Sequence, residues 1–430
     1  MKTLIANCGE IAHLSSGVKD QPLSGYEMNN RDELVYSKGL GILIEGNIIK
    51  KIDDSEALLE EYSDRNTSDN TTSEVNVIDA HGKAIVPGFV DSHNHLIWSG
   101  DRTNELAMRQ NGFSYRDISE SGGGIQKTVD STRKTTFNKL VESGLDRVNN
   151  ALINGTTSME VKSGYGLDID NEIKILQTID MIKKQQIVNI HPTWLGAHDF
   201  PNEKSRKEYI DELVADQLPL ISEKGLAKWV DVFCEPGWYT IEETEYIVNE
   251  SKQFGLDSRL HVDEFVDSGG LELATELESV SGDHVGYSSD NARSTASEAG
   301  TMQTFLIGTP YVLNKNLNVP IRKCIDEGWK FSVATDFNPN CPIISLPLIG
   351  SILSHRMSLD PLESLIAVTR NPASTIYSGK KMRGIISENY IADLNILWSE
   401  NVDGWCQTPG TTPVSLTMIN GNIVNRNKVY

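Results

Sequence analysis

Residues 86–95 read Val86-Pro87-Gly88-Phe89-Val90-Asp91-Ser92-His93-Asn94-His95. A short apolar run passes abruptly into polar residues. That is the pattern of a strand buried along its length that delivers functional groups at its end. Side chains alternate along an extended chain, so His93 and His95 share one side and together can grip a metal ion. The pair alone is weak. Nine histidines in 430 residues give about 0.2 His-x-His pairs by chance, and two hydrogen-bonded polar histidines read equally well.

Working outward, short apolar runs alternate with amphipathic stretches of helical length. Segments 85–92, 156–162, 187–195, 229–234, 258–263, 279–284, 302–307 and 331–336 read as strands. Between them, Leu140, Val141, Leu145, Val148 and Leu152 line one helical face that ends at Asn154-Gly155, a C-cap pair. Ile173, Leu176, Ile179 and Ile182 form a second stripe, and Thr240-Ile241-Glu242-Glu243 is a capping box before a third helix. Eight strand–helix units predict an α/β fold, a (β/α)8 TIM-like barrel over residues 86–385. A doubly wound open sheet is the rival, but no G-x-G-x-x-G follows the first strand. Gly122-Gly123-Gly124 follows a polar stretch and reads as a flexible loop rather than a phosphate cradle.

The two ends of the chain resemble each other. Residues 41–50 place apolar runs on both sides of Gly46-Asn47, residues 417–424 do the same around Asn420-Gly421, and residues 391–398 add a partly alternating run. These hairpin signals predict a small β-sandwich domain built from both termini, residues 1–85 plus 386–430. Two unrelated hairpins are the plainer alternative. Residues 64–74 are polar, low in complexity and read as a loop of that small domain.

Composition narrows the function. The chain carries 39 Lys+Arg against 60 Asp+Glu, a formal charge of −21, with 38% hydrophobic residues. An ordinary soluble core follows, and the acidic balance argues against nucleic acid or an anionic membrane as partner. Five cysteines without a C-x-x-C pair fit a reducing compartment, and neither a signal peptide nor a membrane span is written in the sequence, so the expected location is the cytoplasm. A homodimer is expected only because it is the commonest symmetric assembly.

In a barrel, functional residues gather where strands end. Strand ends here carry His93 and His95, then His198, then His261-Val262-Asp263-Glu264, then Asp283-His284, then Asp336-Phe337-Asn338. Five of the nine histidines fall there; His13, His81, His191 and His355 do not and read as structural or surface groups. Adding His261 and Asp336 to the first pair completes a nitrogen and oxygen donor set for one Zn2+ or Fe2+ ion. No thiolate closes it, so a water can join as a further ligand, which is a catalytic arrangement.

The run from Val86 to His95 resembles the metal-dependent amidohydrolase superfamily. Further stretches resemble one family within it, the imidazolonepropionases of histidine degradation. They are Glu160-Val161-Lys162-Ser163-Gly164-Tyr165-Gly166-Leu167, Thr193-Trp194-Leu195-Gly196-Ala197-His198, His261-Val262-Asp263-Glu264-Phe265, Asp283-His284 and Thr335-Asp336-Phe337-Asn338-Pro339. Gly100-Asp101-Arg102 and Ser121-Gly122-Gly123-Gly124-Ile125 match as well, and the resemblance runs in order from about residue 40 onward.

The resemblance implies metal ligands His93, His95, His261 and Asp336, with Glu264 as catalytic acid/base. It implies that His284 polarises the reacting carbonyl or holds the nucleophile. Arg102, Tyr165, His198, Asn338 and the loop after it, with Asn340 and Cys341, would contact substrate. The implied reaction opens a cyclic amide, 4-imidazolone-5-propanoate, to N-formimidoyl-L-glutamate. That substrate is a small anion and suits a bidentate guanidinium at Arg102. Each residue also has a plainer reading: Tyr165 as a packed aromatic, Arg102 as a structural ion pair, His198 as a core histidine, Glu264 as an orienter of a ligand ring. Lys162 reads as structural or as a support of the ligands.

Two departures stand out. Asn340-Cys341 replaces a glycine and a small hydroxyl residue common in the family; Asn340 tolerates a left-handed backbone, whereas Cys341 is a weak hydrogen-bond donor. Asn94 lies between the histidines and points away from them by alternation. The rival functions are another mononuclear-metal amidohydrolase, such as a cyclic amidine or nucleobase deaminase, and a scaffold that has lost its chemistry. The full set of ligands with Glu264 argues against the scaffold.

Overall fold

The computed structural model describes all residues except 1, 64–74, 114–116, 119, 120, 318 and 428–430. The polar loop expected at 64–74 therefore lies outside the described residues.

All eight expected barrel strands form. They are Phe89–Asp91, Thr156–Lys162, Asn189–Ala197, Trp229–Cys234, Asp257–Val262, Ser281–His284, Met302–Phe305 and Phe331–Val333, paired in parallel and in sequence order in one eight-stranded sheet. Thr156–Lys162 and Trp229–Cys234 are buried at every position, as strands covered on both faces must be. The eighth strand closes on the first through the segments beyond them. Asn94 bridges Phe337, the Asp336 N–H donates to the His93 carbonyl at 3.1 Å, and the His95 N–H donates to the Phe337 carbonyl at 2.9 Å. The Asp91 carboxylate accepts from the Thr335 N–H at 3.0 Å and from its hydroxyl at 2.7 Å. The barrel is thus closed at its C-terminal mouth by the same two segments that carry three of the expected ligands.

One strand differs from its reading. Residues 85–92 form two strands, not one: Ile85–Pro87 pairs antiparallel with Leu394–Leu397 in a terminal sheet, and Phe89–Asp91 enters the barrel. Val86 and Pro87, read as the start of the barrel, therefore belong to the terminal sheet. Gly88 is the crossing point. A Cβ there would lie 2.3 Å from the Thr157 hydroxyl, so only glycine lets the chain pass between the layers.

The helical stripes behave as their periodicity requires. Phe137–Ile153 buries Leu140, Val141 and Val148, and ends at Asn154 with Gly155 at φ 89°. Ile169–Gln185 buries Ile173, Leu176, Ile179 and Ile182, and its first turn is capped by the Asp168 side chain accepting from the Asn171 N–H. The capping box at Thr240 and Glu243 opens Ile241–Gln253.

The termini build two sheets. Lys2–Ala6, Leu40–Glu45, Ile48–Asp54 and Val75–Asp79 form one; Ile11–Ala12, Val35–Tyr36, Ile85–Pro87, Leu394–Leu397, Val414–Ile419 and Asn422–Arg426 form the other. Ile5, Ile42 and Ile44 from the first pack with Ile85, Ile396 and Met418 from the second in one buried cluster. Burying an aliphatic side chain of this size contributes roughly 1.5–3 kcal/mol, so this core is what joins the two ends. The hairpin turns also touch: a Cβ on Gly421 would lie 2.2 Å from the Gly46 carbonyl oxygen.

Candidate active site

At the C-terminal mouth, the fixed points are two buried carboxylate–imidazole pairs. His93 Nδ1 lies 2.7 Å from Asp283 Oδ2, and His261 Nδ1 lies 2.8 Å from Asp231 Oδ2. Asp231 is anchored further by the His261 N–H at 3.0 Å. With each Nδ1 committed to a carboxylate as a donor, each Nε2 presents a lone pair to the centre. Lys162 sits between the two carboxylates, 2.8 Å from Asp231, 3.7 Å from Asp283 and 3.0 Å from Glu160. All four of these charged groups are fully buried. Burial opposes charge on Asp231, but His261 and Lys162 hold its carboxyl well below the usual range.

Of the quartet His93, His95, His261 and Asp336, the first two and Asp336 offer donor atoms within 4.8 Å of one another, and so do His93, His261 and His284. His93 Nε2 is 3.7 Å and His95 Nε2 3.5 Å from Asp336 Oδ1, and His261 Nε2 is 3.3 Å from His95 Nε2. His93 Nε2 is buried with no hydrogen-bond partner among the described residues. Donor atoms 2.0–2.2 Å from one ion in tetrahedral array lie about 3.4 Å from each other. Lone pairs this close repel unless a cation lies among them. The donor set therefore fits a divalent metal ion. Thr309 donates its hydroxyl to the other oxygen of Asp336 and fixes the carboxylate.

The backbone here is bent on purpose. His284 at φ 74°, Asp336 at φ 51° and Asp263 at φ 52° all occupy the left-handed region, as does Val285 at φ 45°, a costly position for a β-branched residue. Asp263 explains the turn after His261. Its carboxylate accepts from the N–H groups of Ser268, Gly270 and Leu271 and from the hydroxyls of Ser268 and Ser288. Asp263 so pins the following loop, while Glu264 turns into the cavity with 15% of its side chain exposed and Oε2 3.6 Å from His284 Nε2. Burial first, then the neighbouring carboxylates of Asp336 and Glu235, push the Glu264 carboxyl well above the usual range. Glu235 accepts the Glu264 N–H and is itself pushed up to about 7, chiefly by burial.

One cavity, of about 60 Å3, is lined by His95, His261, Glu264, His284 and Asp336. Arg102, Tyr165, His198, Asn338 and Asn340 line the same cavity. His198 stacks on His95 at 5.1 Å between ring centroids, and its Nδ1 is held 2.9 Å from the Gly164 carbonyl oxygen. Gly164 is at φ 108°, and a Cβ there would lie 2.8 Å from that same Nδ1. Tyr165 is buried, 5.2 Å from the His198 ring. The turn that carries it is wound around the Glu172 carboxylate, which accepts the N–H groups of Gly164, Gly166 and Leu167.

Arg102 is already engaged. Its Nε and Nη2 donate to the two oxygens of Glu105 at 2.9 and 2.8 Å, a parallel pair that fixes the guanidinium plane. Glu105 also accepts the Gly124 N–H at 3.0 Å. The glycine run is accordingly not a loose loop: Gly124 starts the helix Gly124–Lys134, and a carboxylate of the protein occupies its N-terminus.

The loop after Asp336 departs from expectation in two ways. Asn338 accepts the N–H groups of Asn340 and Cys341 at 2.8 and 3.0 Å, so the turn closes without Asn340 entering the left-handed region; Asp336 supplies the positive φ instead. Cys341 does not line the cavity. Its thiol is buried 3.8 Å from the Thr335 carbonyl, behind the loop, whereas Asn340 faces the cavity and accepts from Arg109 at 2.8 Å. Asn94 is buried and donates to Asp91 at 3.3 Å, away from the ligands. Asp231, Glu235, Glu105 and Thr309 are the contributors that motif reading passes over. Asp231 alone leaves a trace, a lone acid within Trp229-Val230-Asp231-Val232-Phe233-Cys234.

The amidohydrolase family model matches residues 76–136. An imidazolonepropionase of Symbiobacterium thermophilum is 36% identical over 398 residues, 92% of this chain and 90% of that protein. One from Clostridium tetani is 35% identical over 403 residues, 93% of each chain, and one from Bacillus cytotoxicus is 38% identical over 352 residues, 81% of this chain and 82% of its own. Among solved structures, an atrazine chlorohydrolase variant from Arthrobacter aurescens, complexed with zinc and atraton, aligns with a TM-score of 0.72 at 16% identity, covering 99% of this chain and 95% of that one. A 5-methylcytosine deaminase from Klebsiella pneumoniae aligns with a TM-score of 0.70 at 16% identity, over 100% and 98% of the two chains. Those two share the fold. The sequence relatives, alike along four-fifths or more of the chain, place it more narrowly: it belongs to the imidazolonepropionase family of metal-dependent amidohydrolases.

Proposed function

We propose that this protein hydrolyses 4-imidazolone-5-propanoate to N-formimidoyl-L-glutamate, with His93, His95, His261 and Asp336 holding one Zn2+ or Fe2+ ion. The nitrogen and oxygen donors suit either ion. When bound, the ion lowers the pKa of a water from 15.7 to about 7 and polarises the ring carbonyl.

The protein's own residues supply the rest. Glu264, whose carboxyl is raised by burial, takes a proton from the attacking water and returns it to the ring nitrogen as the C–N bond breaks. His284, 3.6 Å from Glu264, donates a hydrogen bond to the oxygen that gains charge in the tetrahedral state. Arg102, oriented by Glu105, receives the propionate. Tyr165 and His198 flank the planar ring, and Asn338 with Asn340 borders its outer edge. Cys341 takes no part in this arrangement. A cytoplasmic location belongs to the same reading and is supported by five buried, unpaired thiols; no helix among the described residues is long and apolar enough to cross a membrane.

The observation that carries the reading is a single cavity lined by His95, His261, Asp336 and Glu264 and also by Arg102. A neutral cyclic amidine or a nucleobase would have no use for that guanidinium. The deciding experiment follows ring opening of freshly generated substrate and quantifies formiminoglutamate. Metal-loaded protein that yields none of that product would refute the assignment.

A further inference from the structure

A second cavity, of about 240 Å3, shares Glu264, His284, Thr309 and Leu313 with the first, but none of Arg102, Tyr165 or Asn338. Its lining includes one cation, Lys315. The Lys315 ammonium lies 4.8 Å from the centre of the Phe265 ring, and Phe265 itself lines the first cavity.

The reaction proposed above gives this cation a task. Substrate carries one carboxylate, on the propionate. Hydrolysis joins the water oxygen to the ring carbonyl carbon and breaks the C–N bond, and the nitrogen takes a proton. The carboxylic acid so formed then ionises, and product leaves with two carboxylates. The second one arises at Glu264 and His284, the wall common to both cavities, and not at Arg102. In a chain of net charge −21, with the Glu264 carboxyl adjacent, an anion born there is unfavourably placed unless a cation is at hand.

We propose that the second cavity is a product site, which receives the carboxylate generated by ring opening with Lys315 as its ionic partner. The inference rests on the proposed reaction. It adds a subsite for an anion that substrate does not possess, so it separates recognition of product from recognition of substrate.

The test is calorimetric titration of the metal-loaded enzyme at low ionic strength with two ligands. One is N-formimidoyl-L-glutamate; the other is 4-(formimidoylamino)butanoate, the same chain without the new carboxylate. The parent prefers the dicarboxylate. Lys315→Gln cuts that preference roughly fivefold, the upper end for an exposed ion pair, and Lys315→Arg restores it. The effect fades with added salt, as contacts at an exposed ammonium do. Lys315 is exposed, so the exchange leaves the core intact, which circular dichroism and metal content verify. An unchanged preference in Lys315→Gln overturns the proposal. So does an equal loss of affinity for both ligands, which would put Lys315 on the propionate they share. An enzyme that opens the ring without any such dependence loses this subsite and keeps its activity; one with the dependence but no ring opening loses the activity and keeps an anion site.

Discussion

The Lys162 ammonium lies 2.8 Å from the Asp231 carboxylate, and neither group reaches solvent. Asp231 in turn holds the His261 ring at 2.8 Å, so a buried cation sets the ring proposed to hold the metal. Removing one member of such a buried set leaves an uncompensated charge, at a cost of about 3–5 kcal/mol. Lys162→Met therefore lowers unfolding stability by that order in denaturant titration of the metal-free protein. A loss under about 1 kcal/mol would mean that the lysine is dispensable. Asp231→Asn acts on the ligand more than on the fold. It retains the shape but weakens the hold on His261, and metal affinity falls roughly 10- to 100-fold by competition with a chelator.

Arg102 and Glu105 make a second linked pair. The Arg102→Met variant removes the charge proposed to receive the propionate, so kcat/KM for imidazolone propionate should fall about 10- to 100-fold, in line with a charge-assisted hydrogen bond. Glu105→Gln keeps the charge but loosens the guanidinium plane and the N-terminus at Gly124. Its expected signature is a rise in KM with a smaller change in kcat. Full activity in Arg102→Met would move the propionate elsewhere and revive a substrate without a carboxylate.

What the sequence reveals and what it hides follow one physical line. Strand ends are legible because strands covered on both faces run largely apolar, so His93, His261 and His284 stand out near the point where cover ends. The pairings that support the rings are not legible. Asp283 and Asp231 reach His93 and His261 across 190 and 30 residues, and pairing at such separations has no spacing to detect. Gly88 hides for another reason: the chain stays extended while it changes sheets, so periodicity does not break. The family resemblance puts Cys341 with Asn340 in the substrate loop, yet the Cys341 thiol is buried against the Thr335 carbonyl while Asn340 faces the cavity.

Gly88 itself yields a test of the fold. Gly88→Ala would set a methyl group 2.3 Å from the Thr157 hydroxyl, inside contact distance, and the strand Thr156–Lys162 is buried throughout and cannot give way easily. Overpacking of this kind costs typically 1–3 kcal/mol. Thr157→Ala in the same chain removes the hydroxyl and the methyl, which the new Cβ would meet at 2.3 and 2.4 Å, and leaves the Cβ of residue 157 at 2.8 Å. The double variant should recover part of the loss in thermal or chemical denaturation. Absence of any recovery would show that the hydroxyl and the methyl are not what opposes the new Cβ.

Glu264 decides whether the protein is a catalyst in the way proposed. Its carboxyl is pushed up by burial and by Asp336 and Glu235, and a carboxyl raised in this way is suited to accept and return a proton in one turnover. Glu264→Gln keeps the size and the hydrogen-bonding shape but carries no transferable proton. It should retain bound metal and the parent's unfolding midpoint, while kcat falls roughly 10²- to 10⁴-fold with KM little changed. Loss of metal in this variant would make Glu264 part of the ligand system instead. Retained turnover would hand the proton to His284, the titratable neighbour 3.6 Å away. The sign of the pH profile then separates the two carriers. A carboxylate base that must be ionised makes kcat/KM rise with pH through its raised pKa, and Glu264→Gln should erase that rising limb; a limb that survives the exchange belongs to another group.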